Sequence, residues 1–243
     1  MYFVLDIDQM CDFRCNNLVT LDSITNEKVA GYNIESLNCP TCSSCISLRI
    51  DGVKKTLEEV LENEKLSDGW HSVTDANDLA AHYALSQVIY RRLEQPQQDR
   101  NECPFDIPDD CDLIRIFWKD GKAVGFYTLK PKGTYIEHRG ESYDMVTLDT
   151  AYVRSEYRRM GLGLSILEDI TYRYPNEDIA FSSPIAFSML KVIGKFITLY
   201  PEMKYKLWEV SGAGSEGSKK LAWFAIARSK RTVRTFGRVG PSL

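Results

Sequence analysis

The stretch YVRSEYRRMGLGLS, residues 152–165, decides the fold of this chain because it joins a predicted strand to a predicted helix. Its informative part is Arg158-x-x-Gly161-x-Gly163, in which both glycines stand where the helix should begin. Glycine lets backbone N–H groups approach a ligand closely, and a helix start presents unpaired N–H groups at its positive dipole end. The stretch therefore predicts a seat for a pyrophosphate, to which Arg158 and Arg159 add positive charge.

Two other phosphate-binding loops are excluded by the same residues. A P-loop needs a Gly-Lys-Ser/Thr run, which the stretch lacks. A dinucleotide-binding fingerprint needs a third glycine at the position where Ile166 stands. The remaining alternative is a plain strand-to-helix turn that uses glycine only for its backbone geometry, and the residues by themselves leave this alternative open.

Hydrophobic periodicity extends the pattern in both directions. A strand from Tyr143 to Val153 precedes the stretch, and a helix from Gly163 to Tyr174 and a strand from Asp178 to Ser182 follow it. The pair Asp120-Gly121 indicates a tight β-hairpin, and Gly194 is a candidate early end of the last helix. The other predicted elements are a strand at 47–50, helices at 53–64, 74–93 and 186–197, hairpin strands at 113–118 and 122–129, and strands at 205–210 and 221–227. This order predicts an α+β fold with a mixed, mostly antiparallel sheet flanked by helices.

The overall composition limits the classes of function. The net charge of −4 gives no basic field, so direct nucleic-acid binding is not expected. The first apolar run ends at Asp6, which is too early for a secretory signal, and no window approaches the ~18 apolar residues of a membrane span. We therefore expect a chain without a membrane span, kept in a reducing compartment, whose cysteines are thiols or metal ligands.

Composition also divides the chain into three predicted parts. Residues 1–45 are acidic, hold five of the seven cysteines and show no sustained helical period, which predicts an irregular or short-strand appendage. Residues 46–228 carry the regular pattern of strands and helices. Residues 229–243 form a basic tail.

The cysteines of the appendage pose a separate question. Cys39, Cys42 and Cys45 form two overlapping Cys-x-x-Cys pairs, and Cys11 and Cys15 are available to complete a site. Four thiolates would satisfy tetrahedral Zn²⁺ and stabilise a part of the chain too polar to form its own core. The alternative is a set of free thiols, and we assign no residue to a metal.

The loop and its flanking elements resemble motif A of the GNAT acetyltransferase superfamily, whose signature is Arg/Gln-x-x-Gly-x-Gly/Ala, and the resemblance covers roughly residues 46–227. It implies that acetyl-CoA lies in a V-shaped opening between the strands that end at Val153 and Ser182. Backbone at the end of the first strand would hold the pantetheine arm, the loop amides would hold the pyrophosphate, and Gly163 would approach it with no side chain between. The cofactor-binding positions that the resemblance assigns are Tyr152, Val153, Arg158, Arg159, Met160, Gly161, Leu162, Gly163, Leu164 and Ser165.

A narrower resemblance, to the soluble lamin-associated protein family, rests on five short segments. It implies nuclear lamina proteins as partners, a location in the nucleus or the cytoplasm, and a domain without assigned chemistry, of which this chain is similar to a short member. The segments are Asn101-Glu-Cys-Pro-Phe105, Gly125-Phe-Tyr127, Leu148-Asp-Thr150, Leu167-Glu-Asp169 and Leu207-Trp-Glu-Val210.

Asp149 is the candidate general base. Acetyl transfer to an amine needs the amine deprotonated, and a carboxylate can accept that proton directly or through water. Strand alternation places Asp149 on one face with Thr147 and Ala151, four residues before Val153. The alternative is an aspartate satisfied by local hydrogen bonds.

The general acid is the point at which this sequence departs from the resemblance. Members of the superfamily often place a tyrosine four residues before a glycine in the last helix, where this chain has Leu190 before Gly194. Ser182 and Ser183 are the substitutes, and we take Ser183 as a candidate catalytic residue, although a serine at a strand end more often caps the following helix. The primary hypothesis is an acetyl-CoA-dependent N-acetyltransferase acting on an amine of a protein or a small molecule. The alternative is a catalytically silent interaction module at the nuclear lamina.

Overall fold

The computed structural model describes residues 34–43, 45–136, 140–215 and 217–228, together with three short backbone segments at 9–10, 18–19 and 25–28. Its backbone divides into two compact units. The division of the chain predicted from composition, at residues 45 and 228, stays a prediction. The first unit comprises Met1–Gln95, Pro104–Asp110 and Arg115–Phe126, and the second comprises Pro96–Cys103, Cys111–Ile114 and Tyr127–Leu243.

The first unit begins with short antiparallel strands. β1 (Gln9–Met10) pairs with β2 (Leu18–Val19). A four-stranded antiparallel sheet follows in the order β3 (Thr25–Lys28), β4 (Ile34–Asn38), β5 (Cys45–Ile50) and β6 (Val53–Thr56). The next elements are α1 (Leu57–Val60), β7 (Gly69–Ser72), α2 (Ala76–Tyr83) and a continuation of α2 with wider, π-type hydrogen bonding over Ala84–Glu94.

The segment predicted as one helix over 53–64 is instead a strand followed by a single helical turn. Asp51 and Gly52 have positive φ values of 48° and 83°, which is the geometry of a tight turn that returns the chain along β5 as β6. Thr56 then caps α1, because its side chain accepts from the Glu59 N–H while the Glu59 carboxylate accepts from the Thr56 N–H. Turn and cap chemistry therefore outweigh the helical spacing of the apolar residues.

The helix predicted over 74–93 is present as α2 and its continuation. Asp75 caps it by accepting from the N–H groups of Asn77 and Asp78 at 2.8 and 2.9 Å. Its inward face includes His82, which is 1% exposed and meets the Phe126 ring edge-on, with 4.5 Å between ring centroids. The apolar residues buried on the same helix are Ala80, Ala81, Ala84, Leu85 and Val88.

Burial of His82 makes the stability of the protein depend on pH. Loss of hydration lowers the pKa of His82 to about 3, against an ordinary value of 6.5. Between these two values the unfolded chain binds a proton that the folded chain does not, so stability is lost as the pH falls from 6.5 toward 3. We expect the free energy of unfolding to fall by about 2 kcal/mol more in the parent than in His82→Leu between pH 7 and pH 5. Urea unfolding at the two pH values measures this, and equal slopes would remove His82 as the cause.

A β-hairpin continues the chain after the long helix. β8 (Leu113–Lys119) and β9 (Lys122–Lys130) are joined by Asp120 and Gly121, as predicted, and a two-residue connection allows only antiparallel pairing. β7, which the sequence did not indicate because Gly69–Ser72 shows no apolar alternation, pairs with β8 antiparallel. Residues of β9 up to Phe126 belong to the first unit and those from Tyr127 to the second.

The second unit contains the strands on either side of the predicted loop. The order in its sheet after β9 is β12, β13, β14, β15, of which the first three run parallel and the last is antiparallel to β14. A separate antiparallel pair is formed by β10 and β11. The elements are β10 (Tyr135–Ile136), β11 (Glu141–Ser142), β12 (Val146–Val153), α3 (Leu162–Arg173), β13 (Ile179–Ser182), α4 (Phe187–Leu199), β14 (Leu207–Val210) and β15 (Lys219–Leu221), and residues 222–228 are helical.

Two expectations for the end of the chain are corrected. α4 continues past Gly194 to Leu199, and the Thr198 hydroxyl donates to the Gly194 carbonyl at 2.9 Å. The segment predicted as a strand over 221–227 is helical from residue 222. A short apolar run does not distinguish strand from helix by periodicity, and the three alanines in 222–227 favour the helix.

Strands of mixed direction flanked by helices confirm the predicted α+β fold. α3 lies in the apolar core of the second unit, where Ile166, Leu167 and Ile170 are each at most 1% exposed. Over the residues described, none of the helices has the length and apolar character needed to cross a membrane.

Candidate active site

β12 and β13 separate at the position where the sequence predicted an opening. Their paired residues run from Val146 with Ile179 to Leu148 with Phe181, whereas β12 continues for five more residues to Val153. The last link across the gap is made by side chains, since the Ser182 hydroxyl donates to Asp149 Oδ1 at 2.6 Å. The two strands are therefore neighbours that part beyond Asp149, as predicted.

The loop after β12 ends in a helix start without a side-chain cap. Residues Ser155–Tyr157 form one turn of 3₁₀ helix, and Arg159 and Gly161 have positive φ values of 68° and 90°. In the described part of the chain no side chain caps α3 at Gly161. An α helix leaves its first N–H groups without partners in the helix, so the amides at and just after Gly161 are available to an anion.

The two glycines of the motif have different surroundings. Gly161 is exposed, and among the residues that the structure describes none has an atom within 4 Å of a Cβ placed there. A Cβ on Gly163 would lie 2.9 Å from Cγ2 of Val192 in α4. Gly163 thus allows α3 and α4 to approach each other, a role that differs from the predicted open approach to a phosphate, and Gly161 is the glycine with open space.

The predicted basic residues lie beside the opening. Arg158 Nε donates to the Val153 carbonyl at 2.9 Å, and the Arg158 guanidinium lies 5.9 Å from the centre of the Tyr152 ring. Arg159 and Met160 are exposed. Arg158 therefore links the loop to the end of β12, the strand segment that the resemblance assigns to the pantetheine arm. The remaining predicted cofactor-binding residues form the first turn of α3: Leu162 is buried, Leu164 is half-buried, and the half-buried Ser165 donates its hydroxyl to the Leu162 carbonyl.

Strand alternation places Asp149 on the same face of the sheet as α3. The Tyr127 hydroxyl of β9 donates to Asp169 of α3, which marks that face. Thr128, the next residue, hydrogen-bonds to Thr150 of β12 on the opposite face, with 2.6 Å between the two hydroxyl oxygens. Asp149 precedes Thr150 in the strand and so lies on the α3 face, where its side chain is exposed and bonded to Ser182.

Ser183 lies on the other face, in contact with a carboxylate that the sequence analysis did not single out. Its hydroxyl donates to Glu209 Oε1 at 2.9 Å, and Glu209 Oε2 lies 3.2 Å from Lys220 Nζ. Glu209 is 7% exposed, whereas Ser183 is exposed. Pairing of Phe181 with Glu209 brings β14 alongside the end of β13. The available signal was a glutamate inside the apolar strand Leu207–Val210.

These contacts bear on the missing general acid. Leu190, at the position of the expected tyrosine, is buried in α4. A serine hydroxyl has one proton, and the hydroxyls of Ser182 and Ser183 both donate to carboxylates. In this arrangement neither serine has a proton directed toward a leaving thiolate, so Ser183 is placed as a hydrogen-bond acceptor for a ligand.

The zinc hypothesis receives no support from the described cysteines. No group of three or more His, Cys, Asp or Glu side chains suited to a metal occurs among the residues described, and Cys11 and Cys15 lie outside them. Cys45 donates to the Ser47 carbonyl at 3.4 Å, and burial raises its pKa to about 12, which favours the thiol over the thiolate that zinc requires.

Comparison with known proteins identifies relatives of the chain. Protein FAM169B of Mus musculus is 27% identical over 191 residues, which are 76% of this chain and 56% of that protein. Protein FAM169BP of Homo sapiens is 32% identical over 98 residues, or 40% of this chain and 50% of that protein. The chain therefore spans about half the length of the curated relatives it matches.

Solved structures with similarity to the chain include two aminoglycoside acetyltransferases. The enzyme meta-AAC0020, from an uncultured soil metagenomic sample, has a TM-score of 0.34 and 15% identity over 56% of this chain and 86% of its own. The 6'-N-acetyltransferase AAC(6')-Ih of Acinetobacter baumannii has a TM-score of 0.33 and 13% identity over 53% and 88%.

A family model described as "Acetyltransferase (GNAT) family" matches residues 74–181. The match takes in α2, the hairpin of β8 and β9, β12, the Gly161 loop, α3 and β13 up to Phe181. It thus contains the opening between β12 and β13 and the uncapped start of α3. Over these residues the chain is a member of the GNAT acetyltransferase family.

Proposed function

We propose that the protein binds acetyl-CoA at the opening between β12 and β13 and transfers the acetyl group to an amine. The observation that carries the proposal is the exposed, uncapped helix start at Gly161, directly after the point where the two strands part. Membership in an acetyltransferase family supports the same ligand. A plain strand-to-helix turn would not need an opening beside it.

The residues present fit the pyrophosphate and pantetheine of acetyl-CoA. The open space at the Gly161 Cβ position leaves room for phosphate oxygens against the loop amides, and Arg158 and Arg159 add positive charge. Tyr152 and Val153 lie at the end of β12, where backbone groups would hold the pantetheine. Bound acetyl-CoA supplies the activated acetyl group.

Asp149 is the group that we propose takes the proton of the acceptor amine. Its carboxylate is exposed at the edge of the opening, within reach of solvent and of an incoming ligand. Ser182 donates to one of its oxygens, which fixes the orientation of the carboxylate and leaves the other oxygen for the amine or a bridging water. Ser182 is accordingly a positioning residue.

Binding can be tested before any acceptor is known. We expect acetyl-CoA at ~100 times its Kd to raise the free energy of unfolding by about 2.7 kcal/mol, since a ligand that binds only the folded state stabilises it by mass action. The measurement is denaturant unfolding of the full chain with and without acetyl-CoA, with titration calorimetry for the Kd.

Acetate and free pantetheine at the same concentrations are the controls, because neither carries the pyrophosphate. Equal stability with and without acetyl-CoA, up to millimolar ligand, would reject the proposal. Stabilisation by pantetheine alone would move the site away from the Gly161 loop.

One observation favours the catalytically silent alternative. Leu190 replaces the expected tyrosine, and Ser182 and Ser183 direct their protons to carboxylates. A protein that is stabilised by acetyl-CoA and forms no acetylated product with any amine would support this alternative. Partners at the nuclear lamina and a nuclear or cytoplasmic location stay hypotheses from the sequence.

A further inference from the structure

The last residue of the opening on the face away from α3 is Ser183, and its chemistry is constrained by Glu209. The hydroxyl proton of Ser183 is directed to the Glu209 carboxylate at 2.9 Å. An ionised carboxylate only accepts hydrogen bonds, so the proton stays on the side of Glu209. The lone pairs of the exposed Ser183 oxygen can then only accept, and a ligand that meets them must bring an N–H or O–H donor.

Glu209 is held in place by a second contact and by its strand. Lys220 Nζ lies 3.2 Å from Glu209 Oε2, and the two residues are direct partners in the pairing of β14 with β15. Glu209 is 7% exposed, so its carboxylate meets a ligand only through Ser183. The arrangement is a buried, paired carboxylate that orients one exposed hydroxyl. In these terms Glu209 is a positioning residue.

Asp149 and Ser183 lie on opposite faces of the sheet at the same opening. Asp149 shares the face of α3, and Ser183 shares the face of Glu209. One nitrogen atom is therefore poorly placed to bond to both, whereas a molecule with two donor groups can reach one acceptor on each side of the end of β13.

We propose, on the basis of the acetyl-transfer function proposed above, that the acceptor carries a second N–H donor besides the reacting amine, and that Ser183 binds this second group. Asp149 acts on the reacting nitrogen, and the Ser183–Glu209 pair selects diamines and polyamines over monoamines. The selection acts on affinity for the acceptor and leaves the binding of acetyl-CoA unchanged.

The test compares acceptors that differ by one amino group. Initial rates of CoA release are measured for the full chain with acetyl-CoA and with n-butylamine, 1,4-diaminobutane or spermidine. We expect kcat/KM to be roughly ten- to a hundredfold higher for the diamine or polyamine than for n-butylamine, as for one hydrogen bond that involves a charged group. Ser183→Ala should remove this preference by raising the KM of the diamine, and Ser183→Thr, which keeps the hydroxyl, should retain it.

Glu209→Gln tests the positioning role. It should raise the KM for the diamine, and the double variant with Ser183→Ala should be no worse than Ser183→Ala, because Glu209 acts through Ser183. Glu177→Gln is the matched control, since it breaks a Glu–Lys contact of 3.0 Å with Lys132 before β13 begins. It should change neither KM. A general loss of packing would instead lower stability and affect the Kd of acetyl-CoA as well.

The outcomes separate this inference from the function on which it rests. Equal kcat/KM for n-butylamine and the diamine, or a preference that survives in folded Ser183→Ala, overturns the inference and leaves acetyl transfer standing. Stabilisation by acetyl-CoA without acetylation of any of the three amines also overturns it, while cofactor binding stands. Failure to bind acetyl-CoA overturns the proposed function and the inference together.

Discussion

Asp149→Asn should lower the turnover of acetyl transfer by ~10²- to 10⁴-fold while leaving the Kd of acetyl-CoA nearly unchanged. The asparagine side chain can still accept from the Ser182 hydroxyl, so the link across the opening is retained and only the proton acceptor is lost. The loss should shrink as the pH rises, because a larger fraction of the amine is then already deprotonated. Steady-state rates from pH 6 to pH 10, with calorimetry for acetyl-CoA, measure both effects.

Asp144→Asn is the matched control for this change. Asp144 is exposed, lies just before β12 and has its carboxylate 3.6 Å from Lys219 Nζ, a surface pair whose loss costs at most ~1 kcal/mol of stability. Its turnover should equal that of the parent. If Asp149→Asn also keeps parental turnover in a folded protein, Asp149 has no part in proton transfer.

The parts of the site that the sequence predicted correctly are those set by local chemistry. A glycine-containing stretch between an apolar strand and an amphipathic helix indicates where α3 begins, and Gly161 has the positive φ that this turn requires. The parting of β12 and β13 was also predicted, although from a resemblance to a family and not from spacing. Both features depend on residues close together in the chain.

The parts that were missed depend on residues far apart in the chain. Glu209 follows Ser183 by 26 positions, and only the pairing of β13 with β14 brings the two side chains together. Val192 follows Gly163 by 29 positions, and only the packing of α3 on α4 shows why this glycine is needed. A single sequence contains no signal for either contact, because strand order and helix packing are properties of the whole fold. The same packing makes Gly163→Glu a poor test of ligand binding, since the variant would disturb α4 whatever the loop binds.

Gly161 provides the sharper test of the anion seat. We expect Gly161→Asp to weaken acetyl-CoA binding by roughly 10- to 1000-fold relative to Gly161→Asn, since like charges about 4 Å apart repel by roughly 1 to 4 kcal/mol between water and a protein surface. The two side chains are nearly equal in size, and asparagine and aspartate are the non-glycine residues that best tolerate the φ of 90° at this position. Backbone strain is thus common to both variants, and the difference between them is charge.

The Kd of acetyl-CoA for both variants is measured by calorimetry at low and high salt, after unfolding without ligand has shown that the two are equally stable. The difference should narrow at high salt, because Gly161 is exposed and ions screen its surroundings. Free pantetheine, which lacks the pyrophosphate, should not distinguish the aspartate from the asparagine. Equal acetyl-CoA affinity in the two folded variants would show that no phosphate lies at the start of α3. The glycine would then serve the turn alone, and the acetyl-CoA site would have to be sought elsewhere in the chain.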